Sequence, residues 1–286
     1  MVDLSTVSIS LAYVACGLAA LLVAKVVQDV LTPYKINEHL TEHDNPALGI
    51  TLAGYLAGVV IIFLGAVVGP DLDGELTFTE LATDIGGDLL YVLGGVLALN
   101  VGRVVIDRLV LRGFSTAREI VEHGNVGTAA VEAGAYVATA LVVAGAVYGE
   151  GGGPLTACVF FALGQLVLVV FGSFYQWLTR YDVHAEIEKG NVAAGIAMGL
   201  GMVAIGIVLF GATAHDFVGW QENLLEFGQF SVLGGLLLAV LRRVTDVVLL
   251  PGTTLAHEIA RDQNNNAAWI EGVVNVGMAA IVFFMI

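Results

Sequence analysis

Charged pairs recur inside apolar segments of this sequence, each at one fixed spacing from a glycine. The glycines are Gly17, Gly95, Gly164 and Gly234. In three of the four copies a basic residue follows eight positions later and an acid twelve positions later, giving Lys25/Asp29, Arg103/Asp107 and Arg242/Asp246. Charged groups are costly in a lipid-facing segment, so they face a protein interior or a water-filled cavity and often line ion or proton paths. The pairs therefore predict a functional site.

Two glutamates, Glu132 and Glu271, occupy matching places in the segments that return across the membrane, at about the depth of Arg103 and Arg242. A helix N-terminus stabilises an acid only within the first turn, and each glutamate lies beyond that turn of its predicted helix. A lone cation at this depth would be expensive. We therefore predict ion pairs between the glutamates and the arginines, with the acids one turn away as alternative partners.

The charged cluster allows two interpretations. Its members are Lys25, Asp29, Arg103, Asp107, Glu132, Arg242, Asp246 and Glu271. In the first interpretation they line a water-accessible vestibule, and the protein is a small-ion channel or transporter. In the second they form a buried salt-bridge network that fixes helix register, and the protein is a non-transporting membrane scaffold or anchor.

The elements that position these charges follow from composition. Apolar residues make up 57% of the 286 positions, charged residues only 13%, and there are 36 glycines, which fits a polytopic helical membrane protein rather than a water-soluble domain. Eight apolar stretches have membrane-spanning length. We predict an all-α protein with spans at 7–31, 47–68, 85–111, 126–148, 155–178, 192–214, 227–250 and 267–286.

The basic residues predict the orientation. All eleven Lys and Arg residues lie at one set of helix ends and in the loops that join them, whereas the opposite connections carry only acids. Basic residues are retained on the cytoplasmic side. The loops at 32–46, 112–125, 179–191 and 251–266 are therefore expected in the cytoplasm, with both termini extracytoplasmic. Asp3 and the lack of a basic residue before the first apolar run argue against a cleaved signal peptide.

Each of these loops ends in an asparagine, and three of the asparagines have an acid three residues earlier. The pattern comprises Asn45, Asn125, Asn191 and Asn264, with Glu42, Glu122 and Glu188. Four helical hairpins thus share one plan, which indicates duplication. Hairpins two and four match best, so we predict two four-helix repeats, 1–150 and 151–286. An even number of crossings gives both repeats the same orientation.

Glycines inside the spans predict close helix packing. They are the four repeated glycines, Gly17, Gly95, Gly164 and Gly234, together with Gly54 and Gly58 at a four-residue spacing. Small residues let helix backbones approach one another in membranes. The alternative is that the repeated glycines unwind helices beside a substrate, as in broken-helix transporters.

Other chemistry is not indicated. His39 and His43, beside Glu38, could share a metal ion, but a solvated polar loop is the favoured interpretation, and no metal site is predicted. The sequence holds no nucleophile motif, phosphate-binding loop, zinc signature or dinucleotide fingerprint. The loops are also too short for an enzyme domain. We therefore predict no enzymatic activity, no cofactor and no nucleic-acid partner.

The first loop carries a family resemblance. The segment from Tyr34 to Gly49, with Asn45-Pro46 near its end and Gly54-Tyr55 in the following helix, resembles the loop signature of the domain-of-unknown-function 350 family, the YjfL-like inner-membrane proteins. The resemblance covers essentially the whole chain as two copies of a four-helix domain. It implies a multi-pass protein of a bacterial or archaeal plasma membrane, linked loosely to envelope stress, with no established activity.

The resemblance also bears on partners. Single-domain relatives would have to pair to build the same assembly, so the chain is expected to be a covalent pseudo-dimer surrounded by lipid bilayer. A further homo-oligomer and a soluble cytoplasmic partner, recruited by the loops near Asn45 and Asn125, are left open.

Overall fold

A computed structural model describes the backbone over residues 4–68, 78–248 and 252–285, and the side chains over 7–68, 83–245 and 252–284. The long helices are α1 (Leu4–Leu31), α3 (Pro46–Val67), α4 (Phe78–Leu109), α6 (Val126–Tyr148), α7 (Pro154–Leu178), α9 (Val192–Thr213), α10 (Trp220–Val248) and α11 (Asn265–Met285). The short loop helices are α2 (Ile36–Thr41), α5 (Thr116–Val121) and α8 (Val183–Glu188), with a π-helical turn at His257–Arg261 in the fourth loop. The side chain of Asp246 lies outside the described residues.

The predicted architecture is confirmed. Eight helices in the described part of the chain are long and apolar enough to cross a membrane, and they form four hairpins in two four-helix repeats. Helices α4 and α10 begin at Phe78 and Trp220, earlier than the predicted spans. Hydropathy marks only the part of a helix that lies in lipid, whereas the backbone can stay helical beyond it.

The hairpins stand side by side in two layers. The first helices, α1, α4, α7 and α10, form one layer, and the returning helices, α3, α6, α9 and α11, form the other. In the second layer α3 packs on α6, α6 on α9 and α9 on α11. Helices α3, α6 and α9 each also contact the first helix of the next hairpin. Helices α6 and α9 are consequently buried on most sides, while α1 is mostly exposed. We call this arrangement the hairpin row.

Close glycine contacts hold the second layer together. A Cβ atom added to Gly54 would meet the backbone of Ala133, and one added to Gly134 would meet the backbone of Gly199. Gly58, like Gly54, lies in the interface between α3 and α6, where it approaches Ala140. Neighbouring helices therefore pack backbone to backbone, as small residues allow in membranes.

The four repeated glycines lie in the first layer, each facing a returning helix. Gly95, Gly164 and Gly234 contact the side chains of Ile62, Val142 and Val208, each on the returning helix of the preceding hairpin. Gly17 has no preceding hairpin in the chain and contacts Phe63 of its own hairpin instead. The helices run unbroken through all four glycines. The geometry is that of packing positions rather than of unwound segments.

Candidate functional site

The second repeat contains a buried ion pair. Arg242 from α10 places Nη1 2.6 Å from Oε1 of Glu271 on α11. The Glu271 side chain is 0% exposed, and that of Arg242 is 10% exposed. The guanidinium carbon also lies 4.7 Å from the ring centre of Tyr175, which is a cation–π distance. This cluster therefore joins α10 and α11 to α7.

Tyr181, in the loop after α7, closes the same cluster from the loop end of the helices. Burial raises the pKa of its hydroxyl to about 12, and the neighbouring charge of Arg242 opposes that rise only in part. Tyr181 therefore stays a neutral hydroxyl at physiological pH. Two clefts that reach Arg242 have volumes of about 20 Å³ each, room for about one water molecule apiece.

The equivalent cluster of the first repeat is looser. Arg103 has Tyr136, Glu132, Tyr34 and Asp107 as its electrostatic neighbours. Among the described side chains, however, no carboxylate oxygen lies within 4.0 Å of its nitrogens. Glu132 itself is 4% exposed. The first cluster thus holds two acids and one base without a short ion pair.

The two clusters are related position by position. Tyr34 and Tyr181 each follow the first helix of a repeat, and burial raises the pKa of Tyr34 as it does that of Tyr181. Glu132 and Glu271 lie at matching places on the last helix of each repeat. Each cluster therefore connects the first hairpin of a repeat to the second.

Sequence reasoning did not single out these tyrosines. The signal was present, because Tyr34 and Tyr181 both stand five residues after the acid position of their helix, at Asp29 and Gln176. A neutral aromatic residue at a loop start is common, so the spacing gains meaning only beside a charged cluster. The structure supplies that context.

The pair Lys25/Asp29 does not form an ion pair within 4.0 Å in the described structure, which corrects the idea of pairing one turn apart. Instead Lys25 donates from Nζ to Oδ1 of Asn37 at 2.7 Å. Asp29 accepts a hydrogen bond from the backbone N–H of Ile36 at 3.1 Å. The first N–H groups of a helix lack internal partners, so a nearby carboxylate is drawn to them.

The same contact recurs in the next two loops. Asp107 accepts a hydrogen bond from the hydroxyl of Thr116, the first residue of α5, at 2.8 Å. Gln176, at the acid position of the third hairpin, accepts one from the backbone N–H of Val183, the first residue of α8, at 2.9 Å. An uncharged amide therefore accepts a hydrogen bond from the start of the loop helix, as the carboxylates do. The acid position serves to fix the loop helix to the end of the span.

Two kinds of contact recur at three of the loop asparagines. The side-chain oxygens of Asn45, Asn125 and Asn191 cap the returning helices by accepting from the N–H groups of Leu48, Thr128 and Ala194. Their amide groups donate to carbonyl oxygens in the next loop, those of Ile120, Ile187 and Ile259, at 2.8–2.9 Å. Each asparagine therefore links its own hairpin to the following one, which the sequence pattern alone did not show.

The acids that contact these asparagines differ from those in the sequence pattern. Amide groups of Asn125, Asn191 and Asn264 donate to Glu119, Glu186 and Glu258, at 2.9, 3.0 and 2.8 Å. The hydrogen bond from Asn264 lowers the pKa of Glu258. Glu119 and Glu186 lie three and two residues further from the asparagine than the pattern acids Glu122 and Glu188, because the loop helix turns them inward.

The acids of the pattern, Glu42, Glu122 and Glu188, are exposed instead. Glu122 pairs with Arg118 at 3.1 Å, an exposed contact that contributes little to stability. His39 and His43 place their ring centres 5.1 Å apart. Across the described side chains no group of three or more His, Cys, Asp or Glu residues is placed to hold a metal ion.

The link between hairpins makes a testable prediction. Asn125→Ala removes a helix cap and a buried bond to Ile187, so we expect a loss of about 2–3 kcal/mol in the free energy of unfolding. Asn264→Ala is the matched control, because Asn264 also caps its helix, whereas its amide donates to Glu258 of its own loop. Its expected loss is about 1 kcal/mol. Unfolding of the purified variants in detergent measures both, and equal losses would contradict the assignment of the link.

The tandem repeat also appears in comparison with known proteins. The model of the Domain of Unknown Function family DUF350 matches residues 1–147 and again residues 151–286. The chain belongs to the DUF350 family. The resemblance of the first loop is thereby confirmed, and the two matched regions fit the two-repeat arrangement.

Two curated relatives of this DUF350 protein are named as transmembrane proteins. A UPF0719 transmembrane protein of Aquifex aeolicus (strain VF5) is 22% identical over 251 residues, covering 86% of this chain and 88% of the relative. The UPF0719 transmembrane protein YshE of Bacillus subtilis (strain 168) is 26% identical over 123 residues, covering 43% of this chain and 87% of the relative. The second relative therefore matches over about one repeat. No solved structure matches the chain.

Proposed function

We propose that this DUF350 protein is a non-transporting membrane scaffold without enzymatic activity, in which the charged clusters lock hairpins together. The observation that carries the proposal is the pair of Arg242 and Glu271. A 2.6 Å contact between two buried groups of opposite charge, with the Tyr175 ring beside them, neutralises the charges locally. Such a pair fixes helix register and leaves no free charge for a passing ion.

The space around the charges supports the same proposal. The two clefts at Arg242 hold about one water molecule each, which is too little for a continuous wet path. A larger cleft of about 390 Å³ lies between α4, α6 and α7. Residues such as Leu90, Val143 and Phe161 line it, and no charged residue does. An apolar cleft of this kind suits lipid tails better than ions.

A scaffold needs a surface that a partner can reach, and the cytoplasmic loops supply one. The asparagines near the proposed contact are used internally, since Asn45 and Asn125 are buried. Exposed charges remain beside them, including Glu42, Arg118 and Glu122. We assign recruitment of a soluble partner, within an envelope-stress system, to these exposed charges.

The proposal includes a location and an assembly. It places the protein in the plasma membrane of a bacterium or archaeon with both termini extracytoplasmic, which the one-sided distribution of basic residues supports. It treats the chain as a covalent pseudo-dimer of repeats. The match of YshE over about one repeat supports that view.

A small-ion channel or transporter is the second candidate function, and the first repeat favours it. Arg103 lacks a short ion pair among the described residues, although Glu132 and Asp107 are its neighbours. Two acids beside one base leave a net negative charge when all three are ionised. That charge would accept a proton or a small cation at the cytoplasmic end of α4.

Flux through reconstituted protein separates the two functions. Purified protein in liposomes with an internal pH dye is expected to show no proton flux above that of empty liposomes, with or without a potassium gradient and ionophore. Flux that Glu132→Gln abolishes while the protein stays folded would overturn the scaffold and establish the second candidate. Glu42→Gln, at an exposed loop position, is the matched control and should change nothing.

A further inference from the structure

Successive hairpins meet through the same contacts three times along the chain. The first contact is the asparagine amide, which reaches the loop of the next hairpin. The second contact joins neighbouring returning helices. The residue nine positions after one loop asparagine meets the residue eight positions after the next loop asparagine. The pairs are Gly54 with Ala133, Gly134 with Gly199, and Leu200 with Gly272.

The third contact joins a returning helix to the first helix of the next hairpin. Position seventeen after the asparagine packs on the repeated glycine, in the pairs Ile62 with Gly95, Val142 with Gly164, and Val208 with Gly234. Three independent contacts therefore recur with one register. The hairpin row is built by repeating a single head-to-tail interface.

The last hairpin presents the outgoing side of that interface with nothing on it. Along α11 the exposed stripe comprises Asn266, Ile270, Val273, Gly277, Ile281 and Phe284. Val273 stands at position nine after Asn264 and is 60% exposed, and Ile281 stands at position seventeen and is 52% exposed. A Cβ atom added to Gly277 would meet nothing within 4 Å. The positions that contact the next hairpin elsewhere in the chain are thus exposed on α11.

The first hairpin presents the incoming side, equally uncovered. Ala53 on α3 is exposed and stands at position eight after Asn45, where later hairpins have the half-buried Ala133 and the buried Gly199 and Gly272. Val60 and Leu64 on the same face are 41% and 51% exposed. Gly17, the repeated glycine of this hairpin, is half-buried and lies beside Phe63 of the same hairpin. The two ends of the row are therefore complementary to each other.

We propose that copies of this chain associate head to tail, with α11 of one copy packed on α1 and α3 of a second copy. By the internal register, Val273 contacts Ala53 of the second copy and Ile281 contacts its Gly17. Asn264 donates its amide to the carbonyl oxygen of Leu40 in the second copy's loop, as Asn191 donates to Ile259 within the chain. The interface thus continues one that the chain already forms three times.

The chemistry of both faces favours a second copy over lipid. Lipid tails need only an apolar surface, whereas close helix contact needs small residues at matched depths. Gly17, Ala53 and Gly277 supply them on the two faces. An interface that joins unlike faces closes into a ring when the rotation allows and extends as an open array when it does not. The inference holds whether or not the protein conducts ions.

Cysteine cross-linking in native membranes tests the interface. The free cysteines Cys16 and Cys158 are first replaced by alanine. Oxidation of the double variant Ala53→Cys/Val273→Cys is then expected to shift the protein from the monomer band to dimer and higher bands. Each single variant alone should stay monomeric, whereas two differently tagged single variants expressed together should give a mixed dimer. Such a dimer requires unlike faces to meet.

Two further variants keep the test decisive. Leu97→Cys/Leu166→Cys is the matched control, because both residues are 58% exposed and lie at equivalent places on α4 and α7, away from the proposed faces. Adding Gly277→Trp to the Ala53→Cys/Val273→Cys variant should return it to monomer with unchanged thermal stability, since Gly277 faces open space. The proposal is overturned if the first pair cross-links between copies no better than the control pair. It is also overturned if the single variant Val273→Cys cross-links between copies as readily as the double variant does.

Discussion

Glu271→Ala is expected to lower the free energy of unfolding by about 3–5 kcal/mol, the usual cost of removing one partner of a buried ion pair. The substitution leaves Arg242 buried and charged, with its 2.6 Å partner gone and the neutral side chains of Tyr175 and Tyr181 beside it. Snorkelling gives little relief, because the guanidinium is enclosed by α7, α10 and α11. Unfolding of the purified protein in detergent, followed by circular dichroism during heating or titration with a denaturing detergent, measures the loss.

The first repeat supplies the matched control for this prediction. Glu132 is as deeply buried as Glu271, but Arg103 has no carboxylate within 4.0 Å among the described residues. Glu132→Ala is therefore expected to cost clearly less than Glu271→Ala. The double variant Arg242→Met/Glu271→Leu should recover most of the lost stability, because replacing both partners by apolar groups removes the buried charge. Equal losses in the two repeats would show that the short ion pair is not the source of the effect.

The difference between the two clusters depends on a position that the charge pattern does not include. The position of Tyr175, eleven residues after the repeated glycine, is held in the first repeat by Gln28, which is buried but has no aromatic face. Aromatic stacking holds a guanidinium in one orientation, and an amide does so less well. Sequence symmetry predicted two equivalent clusters. Packing beside the arginines makes them unequal.

The spans and repeats were predictable because the bilayer imposes a length and forbids unsatisfied backbone. Those constraints act on each helix alone, so α3, α6 and α9 are found within a residue or two of their predicted bounds. Helices α4 and α10 deviate because their first turns lie outside the apolar stretch, where hydropathy gives no signal.

The partners of polar side chains were much less predictable. The spacing of Lys25 and Asp29 fits an ion pair on a helix, yet the carboxylate of Asp29 binds the start of α2. The partner of the Asp29 carboxylate depends on where the chain turns after α1, and the spacing of charged residues carries no information on that turn. The amide of Asn45 likewise binds Ile120, 75 residues away, which only the side-by-side arrangement of hairpins brings near. Local periodicity predicts helices well and contacts between hairpins poorly.

Gly134→Leu is expected to abolish folding, the largest effect of any substitution considered in this protein. Gly134 lies in α6 against the backbone of Gly199 in α9, so even one added carbon would overlap main-chain atoms that cannot move aside. Gly134→Ala should therefore already cost about 1–3 kcal/mol, as overpacking of a tight core does. The leucine variant needs the two central helices of the hairpin row to separate. The recovered fraction of monodisperse protein after extraction, with the melting temperature of what remains, measures both variants.

Gly94→Leu in α4 is the matched control, because it places the same side chain in a spanning helix where a Cβ atom would meet nothing within 4 Å. It is expected to change stability by less than about 0.5 kcal/mol, as substitutions away from packed contacts do. Loss of folding in both variants would point to helix propensity or membrane insertion as the cause. Loss in Gly134→Leu alone would show that α6 and α9 are held by backbone contact. Since Gly54 meets the backbone of Ala133 in the same way, that result would extend to the step between α3 and α6.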